Sequence, residues 1–177
     1  MDDYLRLMRL DRPVGTLLLL WPTLAALAMA ASGLPSLELI VIFTVGTFVM
    51  RRAGCVINDY ADRHVDGAVK RTKERPLVTG AINERQALQL FAALVLSAGV
   101  LILFLNTTTK LLAVGGLALA VTYPFMKRYT HLPQVVLGTA FSWGILMAWS
   151  AQDLGVPKEA LLLFIGSLFW IVAYDTQ

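Results

Sequence analysis

The sequence LELIVIFTVGTFVMRRAGCVI occupies residues 37–57 and runs directly into NDYADRHVD at residues 58–66. The first stretch contains 21 mainly apolar residues, and an α-helix needs about 20 such residues to cross a bilayer. Because backbone polar groups in the hydrocarbon region must be bonded within the protein, a span of this kind is helical. The segment therefore predicts a transmembrane helix that ends in a row of polar and acidic side chains.

Five other apolar stretches approach the same length. The six predicted spans are 14–31, 37–57, 86–105, 110–125, 134–151 and 159–174. Of the 177 residues, 57% are hydrophobic and only 15% are charged, whereas soluble domains have about a quarter of their residues charged. The composition excludes a disordered chain and an ordinary soluble domain. It predicts an all-α, polytopic transmembrane helical bundle that forms one domain over residues 1–177, with Gly115 and Gly116 as a packing notch between helices.

Basic residues lie almost entirely on one side of these spans. Thirteen of the fifteen Lys and Arg residues precede the first span or belong to the loops after the second and fourth spans, with Arg51 and Arg52 assigned to the loop after the second. Only Lys110 and Lys158 fall on the other side. The positive-inside rule predicts that the N-terminus and the basic loops are cytoplasmic. The net charge of +3 is too small to indicate nucleic acid as a partner, and the single cysteine excludes an internal disulfide.

The polar row after the second span is the main candidate site. If the helix continues, Asn58, Asp62 and Asp66 lie on nearly one face, and Asp59 joins the same side. Like charges at this spacing repel one another, so the row requires salt bridges or a bound cation. Oxygen ligands favour Mg²⁺ or Ca²⁺ over zinc or copper. Since eight residues of helix rise about 12 Å, one ion cannot bind both ends of the row unless the helix breaks, and ions bridged by a diphosphate fit it better.

A basic cluster follows the acids, with Lys70, Arg71, Lys73 and Arg75 close together. Arg binds phosphate through a bidentate fork, so acids and bases side by side favour a metal–diphosphate site. The alternative is topogenic charge that contacts anionic lipid. After the fourth span, the spacing of the Tyr and Lys in YPFMK, residues 123–127, is typical of interfacial anchors or of a further part of the same site.

Taken together, these motifs resemble those of the UbiA superfamily of membrane aromatic prenyltransferases. NDYADRHVD at 58–66 matches the NDxxDxxxD signature of that family, residues 70–77 resemble its following basic stretch, and residues 123–127 match its YxxxK element. The likeness covers essentially the whole chain. The segments 7–15, 20–23 and 123–138 resemble the bacterial members that use 4-hydroxybenzoate.

The resemblance implies a multi-pass bacterial inner-membrane enzyme of about nine helices with a central cavity open to lipid. It implies two acidic motifs on different helices, of which the second begins at Asp175, so the chain is expected to be the N-terminal two-thirds of such an enzyme and inactive alone. The implied site residues are Mg²⁺ ligands at Asn58, Asp59, Asp62 and Asp66, diphosphate-binding cations at Arg12, Arg71, Arg75 and Lys127, and catalytic residues at Asp62, Asp66, Tyr123 and Asp175.

The implied reaction transfers a polyprenyl group from polyprenyl diphosphate to 4-hydroxybenzoate, ortho to the hydroxyl, and gives 3-polyprenyl-4-hydroxybenzoate for ubiquinone biosynthesis. Tyr123 either orients the reactants or shields the allylic cation. Two alternatives stay open. One keeps the fold and donor but uses a naphthoate, a haem or a sugar phosphate as acceptor. The other is a non-enzymatic cation-binding membrane protein, which predicts acids in mid-span, whereas these acids lie at span ends.

Overall fold

The computed structural model describes residues 2–31, 33–68, 70, 72–126 and 128–176, except for the side chain of Ala68. Within these ranges the chain is helical and forms no strand, which confirms the all-α prediction. The helices are α1 (Asp2–Leu7), α2 (Val14–Ala30), α3 (Leu37–Asp62), α4 (Pro76–Thr79), α5 (Glu84–Ile102), α6 (Thr107–Met126), α7 (Pro133–Ser150) and α8 (Lys158–Thr176), with a 3₁₀ turn at Asp66–Ala68.

The six predicted spans correspond to α2, α3, α5, α6, α7 and α8. In the described part of the chain, α3, α5, α6 and α8 are long and apolar enough to cross a membrane, as judged by length and composition. Helix α2 is apolar but has only 17 residues. Helix α7 is not among the four helices that meet the standard. Membrane spans formed by α2 and α7 therefore stay a prediction.

Local sequence accounts for several helix ends. Ser36 caps α3 by accepting a hydrogen bond from the backbone N–H of Leu39 at 3.3 Å. Asn83 and Gln86 form a reciprocal capping box at the start of α5. Gly80 follows α4 with φ of 78°, a left-handed conformation that glycine adopts without a Cβ clash. Polar residues between the apolar runs thus begin and end the helices.

Helix α7 lies at the centre of the bundle, where it packs against α2, α6 and α8. Ile145 and Trp149 of α7 join Ala26 and Leu27 of α2 in the largest buried apolar cluster of the described chain. The two helices approach closely because α7 carries Gly144 at their contact, next to Thr23 of α2.

Gly115 and Gly116 form the predicted packing notch on α6. The indole of Trp143 lies over this notch, and a Cβ added at residue 116 would lie 2.8 Å from the indole Cδ1. The Trp143 Nε1–H donates a hydrogen bond to the Leu112 carbonyl at 2.7 Å. The interpretation of the glycine pair as a helix-packing feature is therefore confirmed.

The loop assignment of Arg51 and Arg52 is wrong, because α3 continues to Asp62 and contains both residues. Arg52 is only 4% exposed. Its Nη1 donates a hydrogen bond to Thr16 Oγ1 at 2.6 Å, and its guanidinium lies 4.1 Å from the ring centroid of Phe48. These contacts stabilise a charge within the helical bundle. The charge asymmetry that predicts the orientation persists without the two arginines.

Candidate active site

A cavity of about 870 Å³ lies among helices α2, α3 and α5–α8. It follows α3 from Ile42 to Asp62, a helical rise of about 30 Å. Ligand sites of small molecules usually occupy about 300–1,000 Å³. The cavity is therefore large enough for a ligand and long enough to cover most of the thickness of a bilayer.

The two parts of this cavity differ in chemistry. Most of the wall is apolar, with side chains such as Leu18, Phe43 and Leu117, and Lys110 adds a cation at the end remote from Asp62. The opposite end, called the polar end below, is lined by Asn58, Asp62, Asp66, Asp175, Arg9, Arg12, Arg75, Thr72, Tyr123 and Tyr174. This arrangement suits a ligand with a charged head and a long apolar tail.

The polar end collects most of the side chains that the sequence motifs single out. They are Asn58, Asp62, Asp66, Tyr123, Asp175, Arg12 and Arg75. Arg71 and Lys127 lie outside the described residues. Asp59 is not part of the cavity wall. The tertiary structure thus brings together residues that are more than 100 positions apart in the chain.

Of the two cases that the sequence leaves open, a helix that continues through Asp66 or one that breaks before it, the structure has the break. Helix α3 ends at Asp62, whose carbonyl accepts a hydrogen bond from the Val65 N–H at 2.9 Å in the following turn. Asp66 then begins a separate 3₁₀ turn. Because the chain turns between Asp62 and Asp66, the 12 Å rise that a continuous helix would impose over residues 58–66 no longer separates the first and last ligands.

The donor types at the polar end fit Mg²⁺. Asp62, Asp66 and Asp175 come from three different elements and offer carboxylate oxygens, which Mg²⁺ prefers. Among the described residues, no three acidic, His or Cys side chains lie close enough together to form a metal-binding group. Mg²⁺ in proteins commonly uses one or two carboxylates and completes its shell with water and substrate phosphates. These residues therefore fit an ion that binds together with a diphosphate.

Asp59 is the centre of a buried group of charges, called the Asp59 cluster below. Its Oδ1 lies 2.5 Å from Arg9 Nη2 and 3.0 Å from Arg75 Nη1, and its side chain is 3% exposed. Arg75 Nη1 also lies 2.5 Å from Asp66 Oδ2. The metal-ligand assignment of Asp59 is at odds with this position, because two guanidinium groups already occupy the same carboxylate oxygen.

Arg9 is a member of this cluster that the motifs did not single out. Its backbone has φ of 51°, in the left-handed region that residues other than glycine seldom adopt. Burial lowers the pKa of the Arg9 guanidinium, but its neighbours, above all the charge of Asp59 and the hydrogen bond to it, together outweigh burial and leave that pKa above its ordinary value. Arg9 therefore stays cationic. In the sequence it looks like Arg6 and Arg12, and no local signal distinguishes the three.

Arg51, predicted to lie in a loop, is instead part of α3 and of the cavity wall. It lines the cavity two helical turns before Asn58, about 10 Å along α3. Its guanidinium lies 5.5 Å from the ring centroid of Phe141 and close to Gly15, where a Cβ would lie 2.8 Å from the guanidinium carbon. Among the described residues no carboxylate forms an ion pair with Arg51. The cavity thus holds a cation beside an aromatic ring, two helical turns from Asn58.

Two contacts near the polar end tie neighbouring segments to α3. Arg128 Nη2 donates a hydrogen bond to the carbonyl of Ala61 at 2.7 Å, which joins the segment after α6 to the last turn of α3. Arg63 pairs with Glu84 at the start of α5, with Nε and Oε1 2.8 Å apart. Such cations near a helix C-terminus also interact favourably with its dipole.

The described fold is a helical bundle around a cavity with an apolar wall and one polar end. The chain matches the UbiA prenyltransferase family over residues 19–177, and it belongs to that family. Its apolar helices and this membership make it a multi-pass membrane protein.

A curated relative from Chromohalobacter salexigens, named 4-hydroxybenzoate octaprenyltransferase, is 61% identical over 175 residues. The match covers 99% of this chain and 59% of the relative. The chain spans about 60% of the length of the curated relatives that it matches.

Two solved structures share the fold. The apo structure of a UbiA homolog from Aeropyrum pernix has a TM-score of 0.80 and 29% identity, over 93% of this chain and 62% of that one. A UbiA homolog from Archaeoglobus fulgidus, bound to GPP and Mg²⁺, has a TM-score of 0.77 and 22% identity, over 98% of this chain and 61% of that one.

Proposed function

We propose that this protein transfers a polyprenyl group from polyprenyl diphosphate to 4-hydroxybenzoate in a Mg²⁺-dependent reaction of ubiquinone biosynthesis. The observation that carries the proposal is the cavity, which joins an oxygen- and arginine-rich end to a mainly apolar wall along about 30 Å of α3. A prenyl diphosphate has the same two-part character. The name of the relative from Chromohalobacter salexigens supports 4-hydroxybenzoate as the acceptor.

The diphosphate head binds at the polar end. Arg75, Arg9 and Arg12 line this end. Their positive charges attract a diphosphate and bind it through charge-assisted hydrogen bonds, which are stronger than neutral ones. Arg71 and Lys127, outside the described residues, are proposed to add to this set. The likeness in fold to a homolog bound to GPP and Mg²⁺ supports the same kind of ligand here.

The Mg²⁺ ligands are Asn58, Asp62 and Asp66 on one side of the cavity and Asp175 of α8 on the other. Mg²⁺ would supply positive charge that stabilises the leaving diphosphate. The protein's part is to hold these oxygens, from α3, the 3₁₀ turn and α8, around one end of the cavity. Tyr123 lines the same end and either orients the reactants or shields the cation.

In the reaction the C–O bond of the allylic diphosphate breaks, and its electron pair leaves with the diphosphate. The ring carbon ortho to the hydroxyl attacks the resulting cation, and the new C–C bond forms. That ring carbon then loses its proton, which restores aromaticity. The apolar wall of the cavity keeps water from the cation, because water would convert it to an alcohol.

Arg51 and Phe141 support an aromatic acid as the acceptor. A guanidinium binds a carboxylate through two parallel hydrogen bonds, and a neighbouring aromatic side chain provides an edge or face for a second ring. Arg51 precedes Asn58 by two turns of α3, about 10 Å along the helix, so the acceptor carboxylate and the diphosphate would occupy different positions. The hydroxyl-bearing end of the acceptor would then face the prenyl donor.

We also propose that the polar end faces the cytoplasm in the inner membrane of a bacterium. The basic residues that favour this side include Arg9, Arg63 and Arg128, all of which lie near the polar end.

The test is an acceptor panel with radiolabelled polyprenyl diphosphate, run on the full-length form, meaning a family member of the relatives' length that carries these residues. We expect Mg²⁺-dependent formation of 3-polyprenyl-4-hydroxybenzoate, identified by its mass, with chelation abolishing it and added Mg²⁺ restoring it. A naphthoate, a haem and a sugar phosphate are the competing acceptors. Preference for any of them, or turnover without divalent metal, would contradict the proposal.

A further inference from the structure

We propose that Asp59 is a positioning residue that holds Arg9 and Arg75 toward the diphosphate, and is not a Mg²⁺ ligand. The inference rests on the proposed function, because it assigns a role within the same site. It concerns the one acidic residue of the 58–66 motif that the cavity wall excludes.

The geometry of the Asp59 cluster places the carboxylate behind the two arginines. Arg9 and Arg75 both line the cavity, whereas Asp59 does not. Both guanidinium groups contact the same oxygen, Asp59 Oδ1, at 2.5 and 3.0 Å. A buried carboxylate must be paired to remain charged, and here the pairing fixes two cations in the wall. Each guanidinium has five N–H donors, so donors remain for a ligand in the cavity.

Arg75 also contacts Asp66, and this contact is the one that a bound metal would change. Arg75 Nη1 lies 2.5 Å from Asp66 Oδ2, and Asp66 lines the cavity with the other proposed Mg²⁺ ligands. If Asp66 were to bind a metal, Arg75 would keep Asp59 as a partner. Asp59 thus provides an anchor that does not depend on whether the metal is bound.

Arg9 reaches the site from a segment 50 residues earlier in the chain. Next to it, Leu7 is fully buried and packs with Val56 of α3 in a second apolar cluster. The left-handed backbone at Arg9 then turns the side chain toward Asp59. Backbone strain of this kind persists where the surrounding structure determines it. The apolar contact and the ion pair together set the position of Arg9.

The test compares Asp59→Asn with Asp62→Asn in the full-length form. The positioning role predicts that Asp59→Asn raises KM for geranyl diphosphate at least about tenfold. It predicts that KM for 4-hydroxybenzoate and the Mg²⁺ concentration for half-maximal activity, both measured at saturating geranyl diphosphate, change less than about twofold. Asp62→Asn should instead shift the Mg²⁺ requirement. Arg9→Gln should reproduce the effect of Asp59→Asn, and the double variant should fall short of the product of the two single effects.

Glu84→Gln is the matched control, because it makes the same acid-to-amide change in the exposed Arg63–Glu84 pair. If Asp59→Asn does not fold, Arg9→Gln tests the pair from its other member and leaves Asp59 paired with Arg75. A shift in the Mg²⁺ requirement with Asp59→Asn, or an unchanged donor KM, overturns the inference.

Failure of the proposed function gives a different result. The unsubstituted protein would then show no transfer to 4-hydroxybenzoate. Calorimetric binding of geranyl diphosphate with Mg²⁺ still separates the two questions, because it needs no acceptor. Binding weakened at least about tenfold by Asp59→Asn supports the positioning role. Equal binding by the two proteins overturns it.

Discussion

Replacing Arg51 by Gln should specifically impair the use of an acceptor that carries a carboxylate. The guanidinium lines the cavity beside Phe141 and, among the described residues, has no carboxylate ion-pair partner. A hydrogen bond to a charged group contributes about 1.5–3 kcal/mol. That range corresponds to about a 10- to 150-fold loss of kcat/KM for 4-hydroxybenzoate.

The assay compares 4-hydroxybenzoate with its methyl ester, which keeps the ring and hydroxyl but has no anionic carboxylate. The unsubstituted full-length protein should prefer the acid, and Arg51→Gln should remove most of that preference while KM for the prenyl diphosphate stays within about twofold. Arg52→Gln is the matched control: it changes the adjacent residue, which does not line the cavity.

An Arg51→Gln variant that still prefers the acid to the ester as strongly as the unsubstituted protein would refute this assignment of the acceptor carboxylate. A proportional rise in KM for the prenyl diphosphate would also refute it, because Arg51 would then act on the donor.

Asp62→Asn in the full-length form should lose most Mg²⁺-dependent turnover, since it removes a carboxylate from the proposed metal site, whereas Glu84→Gln should retain that turnover. Full activity of Asp62→Asn in a radiolabel assay would exclude the metal site. In intact cells, a cysteine introduced at His131 should resist a membrane-impermeant thiol reagent, whereas one at Leu154, on the opposite side, should react; the reverse pattern would invert the proposed orientation. Gly116→Leu should lower stability by about 1–3 kcal/mol, because the side chain would displace the indole in the α6 notch; an unchanged thermal midpoint in detergent would show that this contact is dispensable.

Much of the fold is predictable from the sequence because length and apolar character are local properties. Residues 37–57 are apolar over a length that spans a bilayer, so their helical state follows from the need to bond every backbone polar group. The candidate ligands Asn58, Asp62 and Asp66 are also visible locally, since acids rarely lie beside a membrane span without a role. The glycine pair in α6 likewise predicts a contact with another helix, although it does not specify which helix.

The remaining features depend on which helices meet. The turn after Asp62 places Asp66 on its own element, a result that the i, i+4, i+8 spacing did not predict. Arg9 joins Asp59 across 50 residues of chain. Arg51 contributes to the cavity because α3 packs beside α2 and the guanidinium extends to the ring of Phe141 on α7. Charged residues in the sequence show only which pairs are possible. The apolar packing of the helices, such as the Leu7–Val56 contact beside Arg9, decides which of those pairs come within hydrogen-bonding distance, because burial is non-directional and acts on the whole bundle.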